Sequence, residues 1–149
     1  MQTFVPSTDP EVCAEVLDMK RLGKQRVETL QLLNAIATRS GWSKHPAAKM
    51  WHNHELALID YGITICDEWI GRGYRDTCRD KIISFIPVFS DSSIFYPDWW
   101  GAEEVHNSHR SNLLRKDPTW YGRFGWSDDP DDPYIWPQCD QPLCTRCSS

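Results

Sequence analysis

Lys20, Arg21, Lys24, Arg26 and Glu28 crowd into one stretch, Asp18-Met19-Lys20-Arg21-Leu22-Gly23-Lys24-Gln25-Arg26-Val27-Glu28, that runs into a long helical pattern. On a helical wheel at about 100° per residue, Arg21, Lys24 and Glu28 share a face at spacings of three and four. Met19, Leu22, Leu30, Leu33 and Ala37 form an apolar stripe with Arg26 in its middle. A guanidinium so placed must reach a carboxylate, a phosphate or water, because leaving it desolvated and unpaired costs several kcal/mol. Cations around a single acid, beside an arginine aimed inward, suit a site that holds phosphate next to a reacting centre. The competing reading is a salt-bridged helix face with one snorkelling arginine.

A second polar run, His106-Asn107-Ser108-His109-Arg110-Ser111-Asn112, covers most of two helical turns. His109 and Arg110 are its candidates for hydrogen bonding to phosphate or base. His106 and His109 share a face, yet no third ligand stands near them, so no metal is expected. Asp18 reads as a helix cap, and His45 before Pro46 as a cap or a cleft lining. Arg72, Arg75, Arg79 and Lys81 alternate with Asp76 and Asp80, which fits a solvated segment as well as a phosphate-binding one. Cys139, Cys144 and Cys147 lack the fourth ligand of a metal or iron–sulfur site. They read as free thiols, and no cofactor is expected.

The elements that must position these residues are helical. Asp9-Pro10-Glu11 is a helix start, with a capping acid and proline at the first helical position. A short helix to about Leu17 and a long one from about Met19 to Thr38 follow, with Gly23 as a soft point. His45-Pro46 opens a second helical region in which Met50, Leu56, Ile59, Ile63, Cys66 and Ile70 recur at helical spacing. Gly71-Arg72-Gly73 ends it. Residues 74–85 read as loop plus a short helix. Residues 86–101 read as a long loop, a feature that in small domains is often functional. Glu103 to Lys116 is helical again until Asp117-Pro118 stops it. No alternating strand pattern is present, and the predicted fold class is all-α.

The length of 149 residues fits one domain. The net charge of −5 is uneven: residues 127–149 carry Asp128, Asp129, Asp131, Asp132 and Asp140 against Arg146, leaving residues 1–126 near neutrality. The domain is therefore placed at 1–126, with an acidic Pro/Asp/Cys-containing tail at 127–149. A near-neutral body can still present a basic face. Eight Trp, five Tyr and five Phe exceed what a core of this size needs, so some are free to stack on a ligand. No apolar run nears the ~20 residues that span a bilayer, and the start lacks the pattern of a secretory signal. A soluble, cytoplasmic monomer is expected.

In this order the elements resemble the pyrimidine-dimer DNA glycosylase family of the phage endonuclease V type. Lys20-Arg21-Leu22-Gly23-Lys24 lies where that family has Arg-Glu-Leu-Pro-Arg. Glu55-Leu56 and Glu68-Trp69-Ile70-Gly71-Arg72-Gly73-Tyr74 echo its long helix ending in Lys-Arg-Gly-Phe. Pro118-Thr119-Trp120-Tyr121 matches its Pro-Thr-Trp-Tyr. Within the family the chain is similar to a bacterial and phage branch with the signature Lys-Arg-Leu-Gly-Lys-Gln-Arg-Val-Glu. The resemblance implies a compact helical domain that extrudes a nucleotide from duplex DNA. It implies an N-terminal amine as nucleophile at the sugar C1′, a glutamate that assists it, arginines on phosphates, and strand cleavage by β-elimination.

Two positions depart from the family pattern. Gln2 follows Met1, so the amine expected here is that of Met1 rather than of a small second residue. The family's glutamate falls on Arg21, leaving Glu28, two turns along the same face, to substitute. The catalytic candidates are therefore Glu28, Arg26, Arg21, Met1 and His109. Lys20, Lys24, Arg110, Lys116, Trp120, Tyr121 and Arg123 are the candidates for DNA contact, the last three as an aromatic–basic end that packs in the core or wedges against DNA. The expected partner is double-stranded DNA carrying a damaged or modified pyrimidine. The alternatives are an enzyme that transfers a group onto a modified pyrimidine, a non-catalytic DNA binder of the same fold, and an enzyme acting on free nucleotides. The acidic tail could further occupy the basic cleft as a phosphate mimic.

Overall fold

The computed structural model describes residues 2–137. Met1, Cys139, Asp140, Cys144, Arg146 and Cys147 lie outside them. Seven α-helices and no strand are present among the described residues: α1 (Pro10–Val16), α2 (Met19–Thr38), α3 (Pro46–Lys49), α4 (Glu55–Gly71), α5 (Arg79–Ile83), α6 (Glu103–Lys116) and α7 (Pro118–Tyr121). Short 3-10 turns at Gly41–Lys44 and Gly122–Phe124 complete the order. No helix is long and apolar enough to cross a membrane.

The helix starts follow local chemistry. Asp9 accepts from the Glu11 N–H at 2.9 Å and Pro10 opens α1. Asp18 caps α2, His45 Nδ1 accepts from the Ala47 N–H at 3.0 Å, and Asp117 accepts from the Trp120 N–H at 3.0 Å. Each cap satisfies an N–H that the first helical turn leaves free. The single helical region expected after Pro46 is divided. Trp51–His54 form turns, and Asn53 in the left-handed region (φ 62°) reverses the chain before α4.

The long helices α2 and α4 pack on each other, α1 and α5 lie against α4, and α6 continues into α7. The approach of α2 to α4 requires two glycines. A Cβ on Gly23 would stand 2.9 Å from the Trp69 ring, and one on Gly62 would stand 2.7 Å from Thr29 Cγ2. Gly23 is thus a contact point between helices rather than a soft point. Leu22, Leu32, Leu33, Leu58, Ile65 and Ile82 fill the interior. The long loop closes one end of it: Trp99 and Trp100 pack on the buried Trp51, and their indole N–H groups bond to Met50 O (2.6 Å) and Thr8 O (2.9 Å).

The buried face of α2 differs from the expected stripe. Met19 is 51% exposed, whereas Gln25, Glu28 and Thr29 are buried with Leu22, Leu32 and Leu33. The reason is the extended segment Gln2–Pro6, which enters the interior beside α2 and brings backbone groups that pair with polar side chains.

Candidate active site

Gln2 to Val5 carry N–H and C=O groups that no strand partner satisfies, so side chains from three helices do so. From α2, Gln25 accepts from the Phe4 N–H at 3.0 Å and donates to Gln2 O at 2.8 Å. From α4, the Tyr61 hydroxyl donates to Phe4 O at 2.7 Å. From α6, His109 Nδ1 accepts from the Val5 N–H at 3.1 Å, and His106 Nδ1 lies 2.7 Å from Val5 O. His106 Nε2 accepts from the Gly101 N–H, so its proton sits on Nδ1 and donates to Val5 O. The interior cannot leave such groups bare, and this accounts for the burial of Gln25, His106 and His109.

The segment delivers its start to Glu28. The Gln2 N–H donates to Glu28 Oε2 at 3.3 Å, and Lys24 Nζ stands 3.6 Å from Oε1. Glu28 is 9% exposed. Lys116, at the end of α6, reaches the same region. Partial burial holds its ammonium below the ordinary lysine range, and the charges of Arg21, Arg115 and Lys24 add to that while Glu28 opposes it. Lys24 thus contacts Glu28 directly, and Lys116 lies close enough to feel the charges of Glu28, Lys24, Arg21 and Arg115. Arg21 also pairs with Asp18 at 3.2 Å. Burial raises the Asp18 carboxyl, but hydrogen bonds from Tyr121 and Arg21 outweigh it and hold the acid below its usual range.

Of the sequence candidates, Glu28, Arg21, Lys24 and Lys116 are brought together, and Lys20 is exposed on the first turn of the same helix. His109 lines the segment that leads to Glu28. Its ring is fully buried and neutral, because burial pushes its pKa down to about 3 and His106 adds to the effect.

Arg26 is placed elsewhere. It lies two residues from Glu28, about 200° around the helix. Its guanidinium pairs with Asp76 at 2.5 Å and stacks 4.3 Å over Trp69. Arg110 faces α1 and the tail, where Asp128 (2.8 Å), Glu103 (2.5 Å) and Pro6 O (3.0 Å) occupy its three nitrogens. A cavity of about 340 Å³ adjoins it, lined among others by Thr8, Val16, His106 and Trp126. Trp120 donates to Val16 O at 2.8 Å, and Arg123 stacks 3.8 Å over its ring. Tyr121 is fully buried, and its hydroxyl accepts from the Asp18 N–H and donates to the Asp18 carboxylate, fixing the start of α2.

The sequence reading missed Gln25, Arg115, Tyr134 and Trp136. The described part of the tail lies along α6. Asp132 O accepts from Asn112, Pro130 O accepts from Arg115, and the Ile135 N–H donates to Ser108 Oγ. This brings Tyr134 against His109 (ring centroids 5.3 Å) and Trp136 against His45 (5.9 Å). Burial raises the Tyr134 hydroxyl to about 12, with Arg115 and Arg21 pulling it down and Glu28 pushing it up. Tyr134 thus feels the charges of the Glu28 cluster. Of the tail acids expected in the basic cleft, Asp128 pairs with Arg110, whereas Asp129 and Asp131 are exposed.

The buried Glu28 carboxylate thus stands between the Gln2 N–H and the Lys24 ammonium. No curated protein and no solved structure gives a match, but a family model described as pyrimidine dimer DNA glycosylase matches residues 1–82. With more than half of its length inside that match, the chain belongs to the pyrimidine dimer DNA glycosylase family.

Proposed function

We propose that this member of a DNA glycosylase family extrudes a damaged or modified pyrimidine nucleotide from duplex DNA and breaks its glycosidic bond beside Glu28. The observation that carries the reading is the contact between the Gln2 N–H and Glu28 Oε2 at 3.3 Å. In a chain that starts at Met1, the α-amine is only three covalent bonds from the Gln2 nitrogen. An amine there is tethered within reach of the sugar that Glu28 faces, and its ordinary pKa near ~8 leaves a usable neutral fraction.

The amine nitrogen bonds to C1′ as the C1′–N bond to the base breaks, and the base leaves with a proton. Glu28, as a buried carboxylate, stabilises the positive charge that develops on the sugar. The C1′–O4′ bond then opens, with O4′ taking a proton, to leave an iminium at C1′; loss of a C2′ proton from that iminium expels the 3′ phosphate and opens the strand. Arg21, Lys24, Arg115 and Lys116 hold the flanking phosphates, and Lys20 extends their reach. Extrusion is needed because the glycosidic bond of a stacked nucleotide is inaccessible.

The test is incubation of the purified full-length chain with labelled duplexes carrying a thymine dimer, an abasic site or a modified pyrimidine, with and without borohydride. Strand cleavage with a borohydride-trapped adduct is the expected result. Base release without trapping removes the amine from the mechanism and leaves a monofunctional glycosylase. An intact strand with an altered base mass replaces the reading with a base-modifying enzyme. Binding without any product reduces the chain to a DNA binder.

A further inference from the structure

Residues 128–133 read Asp-Asp-Pro-Asp-Asp-Pro, one triplet written twice, and lie beyond the residues 1–82 that the family model matches. The fold treats the two triplets differently. Asp128 is tucked against α6: its side chain is 10% exposed, and its Oδ2 accepts from Arg110 Nε–H at 2.8 Å. Asp131, at the same place in the second triplet, is exposed, and its carboxylate meets no cation among the described residues. Backbone carbonyls complete the attachment. Pro130 O accepts from Arg115 at 2.9 Å, and Asp132 O accepts from Asn112 at 3.2 Å and from Arg115 at 3.5 Å.

These contacts conflict with a place for α6 at a phosphate backbone. Arg115 neighbours Lys116, yet its Nη1 is spent on the two tail carbonyls and its Nη2 on Asn112 Oδ1. Arg110 gives its three nitrogens to Asp128, Glu103 and Pro6 O. The tail thus sets a carboxylate on one arginine, as a phosphate would stand, and neutral carbonyls on the other. Beyond them Tyr134 packs on His109 (5.3 Å) and Trp136 on His45 (5.9 Å), so the segment crosses from α6 to the start of α3. Tyr134 feels the charges of Glu28 and Arg21 on the way. The attachment is reversible in kind. A guanidinium binds a charged phosphate oxygen more strongly than a neutral carbonyl, and Asp129, Pro130, Asp131 and Pro133 are exposed. Pro130 and Pro133 restrict the residues before them to extended conformations, so closing the segment costs little chain freedom.

We propose that residues 128–136 form an autoinhibitory strap that competes with the backbone of duplex DNA for Arg110 and Arg115. Closed, the strap is anchored by Asp128 on Arg110 and lies between α6 and α3, on the approach to Glu28. Open, it releases both guanidinium groups to phosphates, and Tyr134 and Trp136 leave His109 and His45. The apparent affinity for DNA is then the intrinsic one reduced by the fraction of open molecules. Loosening the anchor tightens binding without altering any group at Glu28. The strap rests on the reading that duplex DNA binds at Glu28, and it adds the regulation of that site.

The experiment compares the full-length wild type, Asp128→Asn and Asp131→Asn in binding a duplex that carries a non-cleavable abasic analogue. Both variants remove one negative charge from the same repeat, but only the first loosens the anchor. Glu103 and Pro6 O stay on Arg110, so its charge is not stranded. Asp128→Asn is expected to bind about tenfold more tightly than the wild type. Asp131→Asn is expected to stay within about twofold, because salt screens an exposed charge. In the ¹⁵N-labelled wild type, the Trp136 indole N–H signal, assigned with Trp136→Phe, is expected to move to the position of a solvent-exposed indole once duplex saturates the chain. Equal gains in the two variants would mean that tail charge merely repels DNA, and would overturn the strap. So would an unchanged affinity in Asp128→Asn, or a Trp136 signal that keeps its place in the saturated complex. Base release from a thymine-dimer duplex is measured separately on the same three chains. Tighter binding by Asp128→Asn with no release from any chain keeps the strap and sinks the glycosylase reading, whereas release with equal affinities does the reverse.

Discussion

The Gln2 N–H meets Glu28 Oε2 at 3.3 Å, across 26 residues of chain. This contact joins Gln2 to the tenth residue of α2, where Lys24 also makes contact and whose charge Lys116 feels. If Glu28 is the acid of the reaction, Glu28→Gln keeps the side-chain shape and an acceptor for the Gln2 N–H but removes the charge. Base release is then expected to fall by about 10²–10⁴-fold, with affinity for duplex DNA unchanged or slightly increased. Single-turnover kinetics with a binding titration separates the two. An unaltered rate would move the chemistry away from Glu28.

Lys24 and Lys116 approach Glu28 from different helices, and Lys24 is exposed apart from its contact with Glu28. If they neutralise phosphates, Lys24→Ala and Lys116→Ala should each weaken binding of duplexes of any sequence. Each should also reduce the magnitude of the slope of log K against log salt by about 1. Arg123→Ala tests the aromatic–basic end in the same assay, since Arg123 stacks 3.8 Å over the Trp120 ring. Equal slopes for all three variants and the wild type would remove the cationic cluster from the DNA interface.

Arg26 answers to a different measurement. Its pair with Asp76 is largely buried, with side-chain exposures of 12% and 4%, and Asp76 also accepts the N–H groups of Cys78 and Arg79. Removing one member leaves the other buried and unpaired, which costs about 3–5 kcal/mol. Asp76→Ala should therefore lower the unfolding free energy by about that amount, read from denaturant titration. The salt dependence of DNA binding should stay as in the wild type. A variant of wild-type stability with a changed salt slope would place Arg26 at the DNA instead.

How far the sequence carried these conclusions depends on where each polar group finds its partner. The caps Asp9 and Asp18 and the helices they open were legible, because capping is a local interaction between residues two or three apart. The cationic face of α2 was legible from spacing alone. The buried face of α2 was not. Gln25, Glu28 and Thr29 are polar, and what makes their burial tolerable is a segment more than twenty residues away in sequence. Arg26 looked like a core intruder for the same reason, since its partner Asp76 is 50 residues away. Tyr134 and Trp136 were hidden by the acidic composition around them, which signals an appendage. Backbone carbonyls of Pro130 and Asp132 fasten that segment to α6, and composition says nothing of those.

His109 provides a pH signature of the folded interior. Its ring is neutral in the folded chain down to about pH 3, because burial disfavours the imidazolium and His106 adds to that. In the unfolded chain an ordinary histidine takes up a proton near ~6.5. Between those values the unfolded state binds more protons than the folded one, so stability rises with pH across the window. The contribution is fully present above about pH 6.5 and is lost progressively on acidification toward pH 3, at up to about 1.4 kcal/mol per pH unit. Asp18 and Asp76 act later and in the same direction. Hydrogen bonds and arginine partners outweigh burial and hold both carboxyls below their usual range, so their contribution fades only as pH falls below about 4. Denaturant unfolding at half-unit steps from pH 7 to 4 should thus show a decline that begins near 6.5, before Asp18 and Asp76 titrate, with His106, which burial also holds below its usual range, acting in the same direction. The His109 Nε2–H signal should stay at its neutral position throughout. A flat profile down to pH 5, or a His109 resonance that titrates near 6.5, would mean that the ring accepts a proton within the fold.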